Sequence, residues 1–181
     1  MNCNNYNMES RLDDKDLAIL ALVQGNCRLT ARQISRKINS PITTVFAKMK
    51  RMEKLGIIKE YRAILDSQKL DYATTAFILA SVSYRTKNNE ILISQRDIAK
   101  EIAKFPEVQE VHIITGDWDL LIKLKAENVD TIGKFIIDRL RFIKGIEKTL
   151  TCMVFETCKE TTEIPINLQK KQKSMNNERR R

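Results

Sequence analysis

The spacing of apolar side chains changes once along this 181-residue chain, and the change divides it in two. Leu17, Ile19, Leu20 and Val23 recur at helical spacing, and that period persists to about residue 66. From residue 74 alternation replaces it, with Ala76, Ile78, Ala80, Val82 and Tyr84 on one side of a strand and Phe77 and Leu79 on the other. A helical module at 10–66, a linker at 67–73 and a mixed sheet-and-helix domain at 74–158 follow from this. With 43% hydrophobic residues, 5 Gly and 3 Pro, both blocks can build cores. The longest apolar runs, such as Ala18 to Val23, fall far short of the roughly 18 residues a bilayer requires, so no membrane partner is expected. Met1 to Ser10 carries no secretion signal, which points to the cytoplasm. Cys3, Cys27, Cys152 and Cys158 show no C-x-x-C spacing and are read as reduced bystanders rather than metal ligands.

The formal charge of +9 is distributed unevenly. Residues 67 to 158 hold 13 basic and 13 acidic side chains and are neutral, whereas Arg28 to Lys54 holds eight basic side chains against Glu53 alone. The last 23 residues add a net +4 and end in Arg179-Arg180-Arg181, a basic tail at 159–181 expected to lack fixed structure. A compact +7 stretch suits a polyanion, although a solvated basic face has the same composition. Periodicity separates the two.

Asp13 opens a first helix, with Asp16 three residues on to favour the positive end of its dipole, and Gly25-Asn26 stops it. Thr30 is an N-cap for a second helix from Ala31 to Ile38. Asn39-Ser40-Pro41 turns the chain into a third helix, with Pro41 at its first position, Val45, Met49 and Met52 inward, and Gly56 at its end. This is a helix-turn-helix over about 31–50, in which the third helix enters the major groove. Its outer face offers Thr43, Thr44, Ala47, Lys48, Lys50 and Arg51, hydroxyls and a methyl followed by cations that suit base edges and phosphates; Arg28 and Arg32 add charge ahead of it. Double-stranded DNA is therefore the expected partner. Ile57-Ile58 and Tyr61 to Leu65 read as a short strand or wing.

In the second block Ser94 caps a helix carrying Ile98, Ile102 and Phe105, and Pro106 ends it. Val108 to Thr115 and Leu120 to Lys125 form a hairpin across Gly116-Asp117-Trp118-Asp119. Ile132, Phe135, Ile136, Leu140 and Ile143 stripe a helix that stops at Gly145, and Thr149 to Thr157 is a last strand. The order β-α-β-β-α-β is that of the ferredoxin-like split β-α-β, an α+β fold with both helices on one sheet face. The other face is apolar and bare, and a second copy is expected to cover it. Such a dimer would address half-sites about 34 Å apart on a palindromic operator.

Three stretches carry a resemblance to the Lrp/AsnC (leucine-responsive, feast/famine) family of transcription regulators: Leu12-Asp13-Asp14-Lys15-Asp16 through Ile19-Leu20, Thr43-Thr44-Val45 through Met49 to Ile58, and Thr115-Gly116-Asp117-Trp118-Asp119-Leu120. The likeness implies a winged helix-turn-helix followed by a ferredoxin-like effector and oligomerisation domain, assembled as dimers, tetramers or octamers. It implies an amino-acid effector held by Gly116, Asp117, Trp118 and Asp119, with Thr149 and Thr151 as further candidates. Taken alone, the first four form an ordinary hairpin turn and the threonines are good strand formers. Pro41 stands where the family usually has serine, so capping is expected from Ser40 or Asn39, and Arg85 to Ser94 is longer than the usual link.

Two other classes stay open: a sensor that binds no DNA, and an enzyme like the haem-pathway decarboxylases that share this architecture. The chain has no glycine-rich phosphate loop, nucleophile elbow or metal cluster. No catalytic residue, metal or cofactor is expected, and the lone His112 is read as structural.

Overall fold

The structure is a computed structural model that describes residues 12–83 and 94–166. These form two compact units, residues 12–64 with 160–166, and residues 65–83 with 94–159. In the first, α1 (Asp14–Gly25) starts at a reciprocal capping box: the Asp16 N–H donates to Asp13 Oδ1 at 2.8 Å and the Asp13 N–H to Asp16 Oδ2 at 2.9 Å. α2 (Ala31–Lys37) uses the same device with Thr30 and Gln33. Asn39, at φ 48°, turns the chain into α3 (Ile42–Lys54). Gly56, at φ 68°, takes it out, with the Ile57 N–H donating to the Met52 carbonyl at 2.9 Å. Ile19, Val23, Ile34, Val45 and Met52 form the core between the helices.

Four details of this unit differ from expectation. Pro41 is the N-cap of α3 rather than its first residue, and no side chain caps the helix. Ser40 is drawn inward, its carbonyl accepting from Ser35 Oγ at 2.6 Å and its hydroxyl lying 3.4 Å from Lys15 Nζ, while Asn39 is occupied by the turn itself. The wing segment forms no strand, and among the described residues no strand lies in its unit to offer it a ladder. Side chains hold it instead, Tyr61 Oη donating to Glu53 Oε1 at 3.1 Å. The tail begins as part of this unit: Gln24 Nε2 donates to the Ile164 carbonyl at 2.9 Å and the Ile164 N–H returns to Gln24 Oε1 at 3.2 Å. Its end, from 167 on, lies outside the described residues, as do the long link from Arg85 to residue 93, Tyr84 and Cys3.

An ion-pair network joins α3 to α1 beside the core. Asp16, with 0% exposure, lies on the same stripe of α1 as Ile19 and Val23 and faces α3 as a carboxylate. Its Oδ1 accepts from Lys48 Nζ at 3.1 Å and its Oδ2 from Arg51 Nη2 at 2.6 Å, while Lys48 also pairs with Asp13. A buried carboxylate with three donors is satisfied; stripped of its cations it would cost about 3–5 kcal/mol.

The second unit is a sheet in the order β2-β3-β1-β4, all neighbours antiparallel, built from β1 (Thr74–Val82), β2 (Val108–Ile113), β3 (Leu120–Ala126) and β4 (Ile146–Met153). α4 (Gln95–Ile102) follows β1 and α5 (Val129–Asp138) follows β3. Alternation on β1 and β3 sends Ala76, Ile78, Ala80, Leu120, Ile122 and Leu124 to the helix side, where they meet Ile98, Ile102, Ile132, Phe135 and Leu140. The register puts Phe77, Leu79, Leu121, Leu150 and Cys152 on the opposite face; Leu150 and Cys152 are exposed and the others half-buried. Lys123 shares that face, almost buried and 3.4 Å from Glu110.

The last helix is shorter than its stripe suggests. The backbone breaks at Arg139, so Leu140 and Ile143 reach the core from a 3-10 turn and its exit, and β4 starts at Ile146, three residues earlier than expected. The expected linker is likewise folded, Gln68–Leu70 making a 3-10 turn beside which Lys125 Nζ donates to Ser67 Oγ at 3.3 Å.

Burial and charge generate two expectations. Ile122→Ala, at a site with 0% exposure, should cost about 2–5 kcal/mol in urea unfolding, whereas Ile64→Ala, 89% exposed, should stay within about 0.5 kcal/mol. For the ion pairs, burial opposes Asp13's charge, but bonds from Lys48 and the Asp16 N–H outweigh it and hold the carboxyl below 3.8. Burial also opposes Lys48's charge, and the two carboxylates outweigh it and hold the ammonium above 10.5. Asp13 thus contributes fully above 3.8 and is lost as pH falls through its lower folded value; Lys48 contributes fully below 10.5 and is lost as pH rises through its higher one. Lys48→Met should destabilise by roughly 1–3 kcal/mol between about pH 5 and pH 9, with the difference from wild type shrinking toward either extreme. A difference that persists unchanged into strong acid would contradict the pairing.

Candidate nucleic-acid interface

α3 presents two unlike faces. Val45 and Met52 point into the core, and Lys48 and Arg51, one turn apart beside them, are drawn to Asp16. Lys48's side chain is 18% exposed, against 62% for Lys50 on the open side. The sequence places Lys48 and Arg51 on the outer face with the other candidates; in the structure both turn toward the buried Asp16, Lys48 largely covered and Arg51 with 39% of its side chain exposed. Thr43, Ala47 and Lys50 are exposed as expected, and Thr44 is half-buried.

The open stripe also contains a residue that periodicity passed over. Phe46 is 56% exposed and lies one turn from Lys50, whose ammonium sits 5.9 Å from the ring centroid. Its position at i+3 from Thr43 and i−4 from Lys50 was the available signal. At the far end of the helix Lys50 pairs with Glu53 at 2.8 Å, and Tyr61 approaches the same carboxylate. The Lys50 bond, reinforced by that from Tyr61, holds the Glu53 carboxyl below its ordinary range; burial and the Glu53 charge push the Tyr61 phenol up to about 12. Tyr61 therefore stays a neutral donor at physiological pH.

Ahead of α3, Arg28 and Arg32 are both exposed, the first in the loop before α2 and the second on α2. With no side chain capping α3, its first-turn N–H groups keep the positive end of the helix dipole open beside Thr43. Cations, hydroxyls and unsatisfied donors on one small unit are the elements of phosphate and base recognition.

In the sheet unit, Gly116 occupies φ 118°, a conformation side chains rarely adopt, and the turn is anchored at Asp119. The Asp119 N–H donates to the Ala80 carbonyl at 3.0 Å, and its carboxylate accepts from the Val82 N–H at 2.7 Å and from Gln95 Nε2 at 2.6 Å. Asp119 thus ties the turn to β1 and α4, while Asp117 is the exposed acid. Trp118 is half-buried between them. Thr149 lies opposite Ala80 and Thr151 opposite Ile78, which brings Thr149 to the turn's end of the sheet and leaves Thr151 two residues further along β4. His112 lies 3.1 Å from Glu110 on the sheet, and bonds from His112 and Lys123 hold the Glu110 carboxyl low.

Comparison with known proteins agrees with both halves. Residues 12–59 match a family described as winged helix-turn-helix DNA-binding, and residues 73–164 match the Lrp/AsnC ligand binding domain. The chain is 40% identical over 153 residues to an HTH-type transcriptional regulator of Pyrococcus abyssi, covering 84% of this chain and 99% of that one. It is 39% identical to a counterpart in Pyrococcus horikoshii with the same coverage. Among solved structures, a transcriptional regulator of Neisseria meningitidis in complex with L-Met superposes with a TM-score of 0.78 at 27% identity, covering 87% of this chain and 98% of that one. The chain belongs to the Lrp/AsnC family of transcriptional regulators, with a helix-turn-helix DNA-binding domain followed by a ligand-binding domain.

Proposed function

We propose that this regulator works in the cytoplasm as a dimer or larger assembly that grips a palindromic operator, and that an amino acid bound near the Gly116–Asp119 turn sets its grip. The observation that carries the reading is the open stripe of α3, presented by a three-helix unit and accompanied on it by the exposed Arg28 and Arg32. Thr43, Thr44, Ala47 and Lys50 meet the duplex, while Lys48 and Arg51 hold the helix that carries them. Because DNA is the partner, the cytoplasm is the site of action, and catalysis has no part in this reading.

The dimer is supported by the apolar sheet face around Phe77, Leu79, Leu121 and Leu150, which a second copy would remove from water. Two copies related by a two-fold axis suit half-sites about one helical turn apart. The amino-acid effector is supported by the L-Met complex of the Neisseria relative and by the chemistry of the turn. Gly116 leaves backbone accessible, Asp117 offers a carboxylate for an ammonium group, Trp118 offers apolar surface, and Thr149 and Thr151 offer hydroxyls at or near the same end of the sheet. Asp119 acts by holding that turn in place. A ligand that binds one arrangement of dimers better than another changes which half-site spacings can be gripped together.

Selection of duplexes from a random pool, with and without each L-amino acid, tests both parts. Enrichment of inverted repeats is expected, and at least one amino acid should change the recovered sequences or their affinity. Trp118, the single tryptophan, should report the same ligand by a saturable fluorescence change that Asp117→Ala weakens at least tenfold. Equal binding to every duplex at moderate ionic strength would overturn the operator reading, and silence of Trp118 toward every amino acid would overturn the effector site.

A further inference from the structure

The brace between α1 and α3 decides which side chains α3 has left to offer. With Lys48 and Arg51 drawn to Asp16 and with Val45 and Met52 in the core, the outward stripe is Thr43, Phe46, Ala47 and Lys50, at i, i+3, i+4 and i+7. Ile42, 47% exposed, begins the same side of the helix. Three of the four stripe residues therefore present methyl or ring surface, and one presents a cation.

Phe46 stands outside the hydrophobic core of its unit, which closes on Val45, Met49 and Met52 without it. Its ring is met by the Lys50 ammonium at 5.9 Å, a contact in which a cation already sits against an aromatic face. Lys54, Arg28 and Arg32 are exposed on the same unit. An apolar protein partner would have to meet the ring within this cationic field. A duplex answers both features at once, with phosphates for the cations and, in the major groove, one apolar group among the base edges, the 5-methyl of thymine.

We propose that Phe46 is a specificity-determining residue of this regulator and packs on a thymine methyl in the major groove, selecting an A·T pair at the position it faces in each half-site. The inference rests on the DNA reading proposed above and deepens it. Phenylalanine neither donates nor accepts, so a G·C pair in that place leaves base-edge donors and acceptors facing an apolar ring without partners. Lys50, beside the ring and 62% exposed, exchanges its surface bond to Glu53 for the neighbouring phosphate. Thr43 and Ala47 add methyl contacts on either side, which biases the whole stripe toward A·T-rich half-sites.

Replacing thymine by deoxyuridine deletes the methyl and leaves every hydrogen-bonding group in place. The full chain is titrated by fluorescence anisotropy against its selected duplex and against duplexes carrying single dT-to-dU changes. Removal of a buried methyl corresponds to about a fourfold loss of affinity, and at one position per half-site dU should weaken wild-type binding by about three- to tenfold. Phe46→Ala should bind the dT and dU duplexes alike at that position, with an unchanged melting curve because the ring is exposed. Lys50→Met should weaken both duplexes equally and keep the dU penalty.

Wild-type binding that is indifferent to dU at every position overturns the inference without needing any variant, and so does a Phe46→Ala protein that retains the full dU penalty. A Phe46→Ala protein with unchanged DNA affinity and an altered oligomeric state assigns the ring to self-association and also overturns it. A pool that yields no preferred sequence removes the operator reading itself, which sets that failure apart from the others.

Discussion

A single carboxylate withdrawn from water organises the DNA-binding unit. Asp16 projects from the apolar stripe of α1, and two cations of α3 must approach it for the charge to be tolerated there. Dispersion contacts among Ile19, Ile34, Val45 and Met52 are non-directional, whereas a carboxylate bonded to Lys48 on one oxygen and Arg51 on the other adds a directional constraint on α3. The same pairing that fixes rotation also determines the outward stripe. The stripe proposed to meet the duplex, Thr43, Phe46, Ala47 and Lys50, is thus set by how the unit is held together.

The sheet unit uses a related device. Asp119 follows the hairpin turn and accepts from the Val82 N–H and from Gln95, so one carboxylate joins β3, β1 and α4. The turn before it, opened by Gly116 at φ 118°, is then presented by a fixed support, with Asp117 and Trp118 at its tip. The residue after this tip, Asp119, is bonded to the sheet through its own N–H as well as its carboxylate. In the proposed dimer the apolar face of that sheet receives the second copy, and a shift in how copies meet would change the spacing of two recognition helices on the operator.

The order of elements in both units was legible from periodicity, because caps and breakers coincide with it: Asp13, Thr30 and Ser94 open helices, and Gly56 and Gly145 terminate segments at positive φ. The placement of charge was harder to read. Asp16 was visible only as a favourable residue for the helix dipole, although it stands at i−3 to Ile19 and i−7 to Val23 and so faces inward. Lys48, at i+3 from Val45 and i−4 from Met52, lies on the same inner side of α3, where a charge requires an opposite charge across the interface. Composition alone gave it to the solvent. The wing, the break at Arg139 and the docking of Ile164 on Gln24 depend on contacts distant in sequence, which no local pattern carries.

The ionic-strength dependence of operator binding separates the two lysines of α3 most directly. Each phosphate contact contributes a unit of slope in a plot of log affinity against log salt; Lys48, shielded between Asp13 and Asp16, contributes none, whereas Lys50, 62% exposed, can exchange its surface bond to Glu53 for a phosphate. Lys50→Met should lower that slope by about one, and Lys48→Met, measured well below its melting temperature, should leave it at the wild-type value. A Lys48→Met protein whose slope falls as far as that of Lys50→Met would contradict the brace, since Lys48 would then be spending its charge on the duplex and not on Asp16.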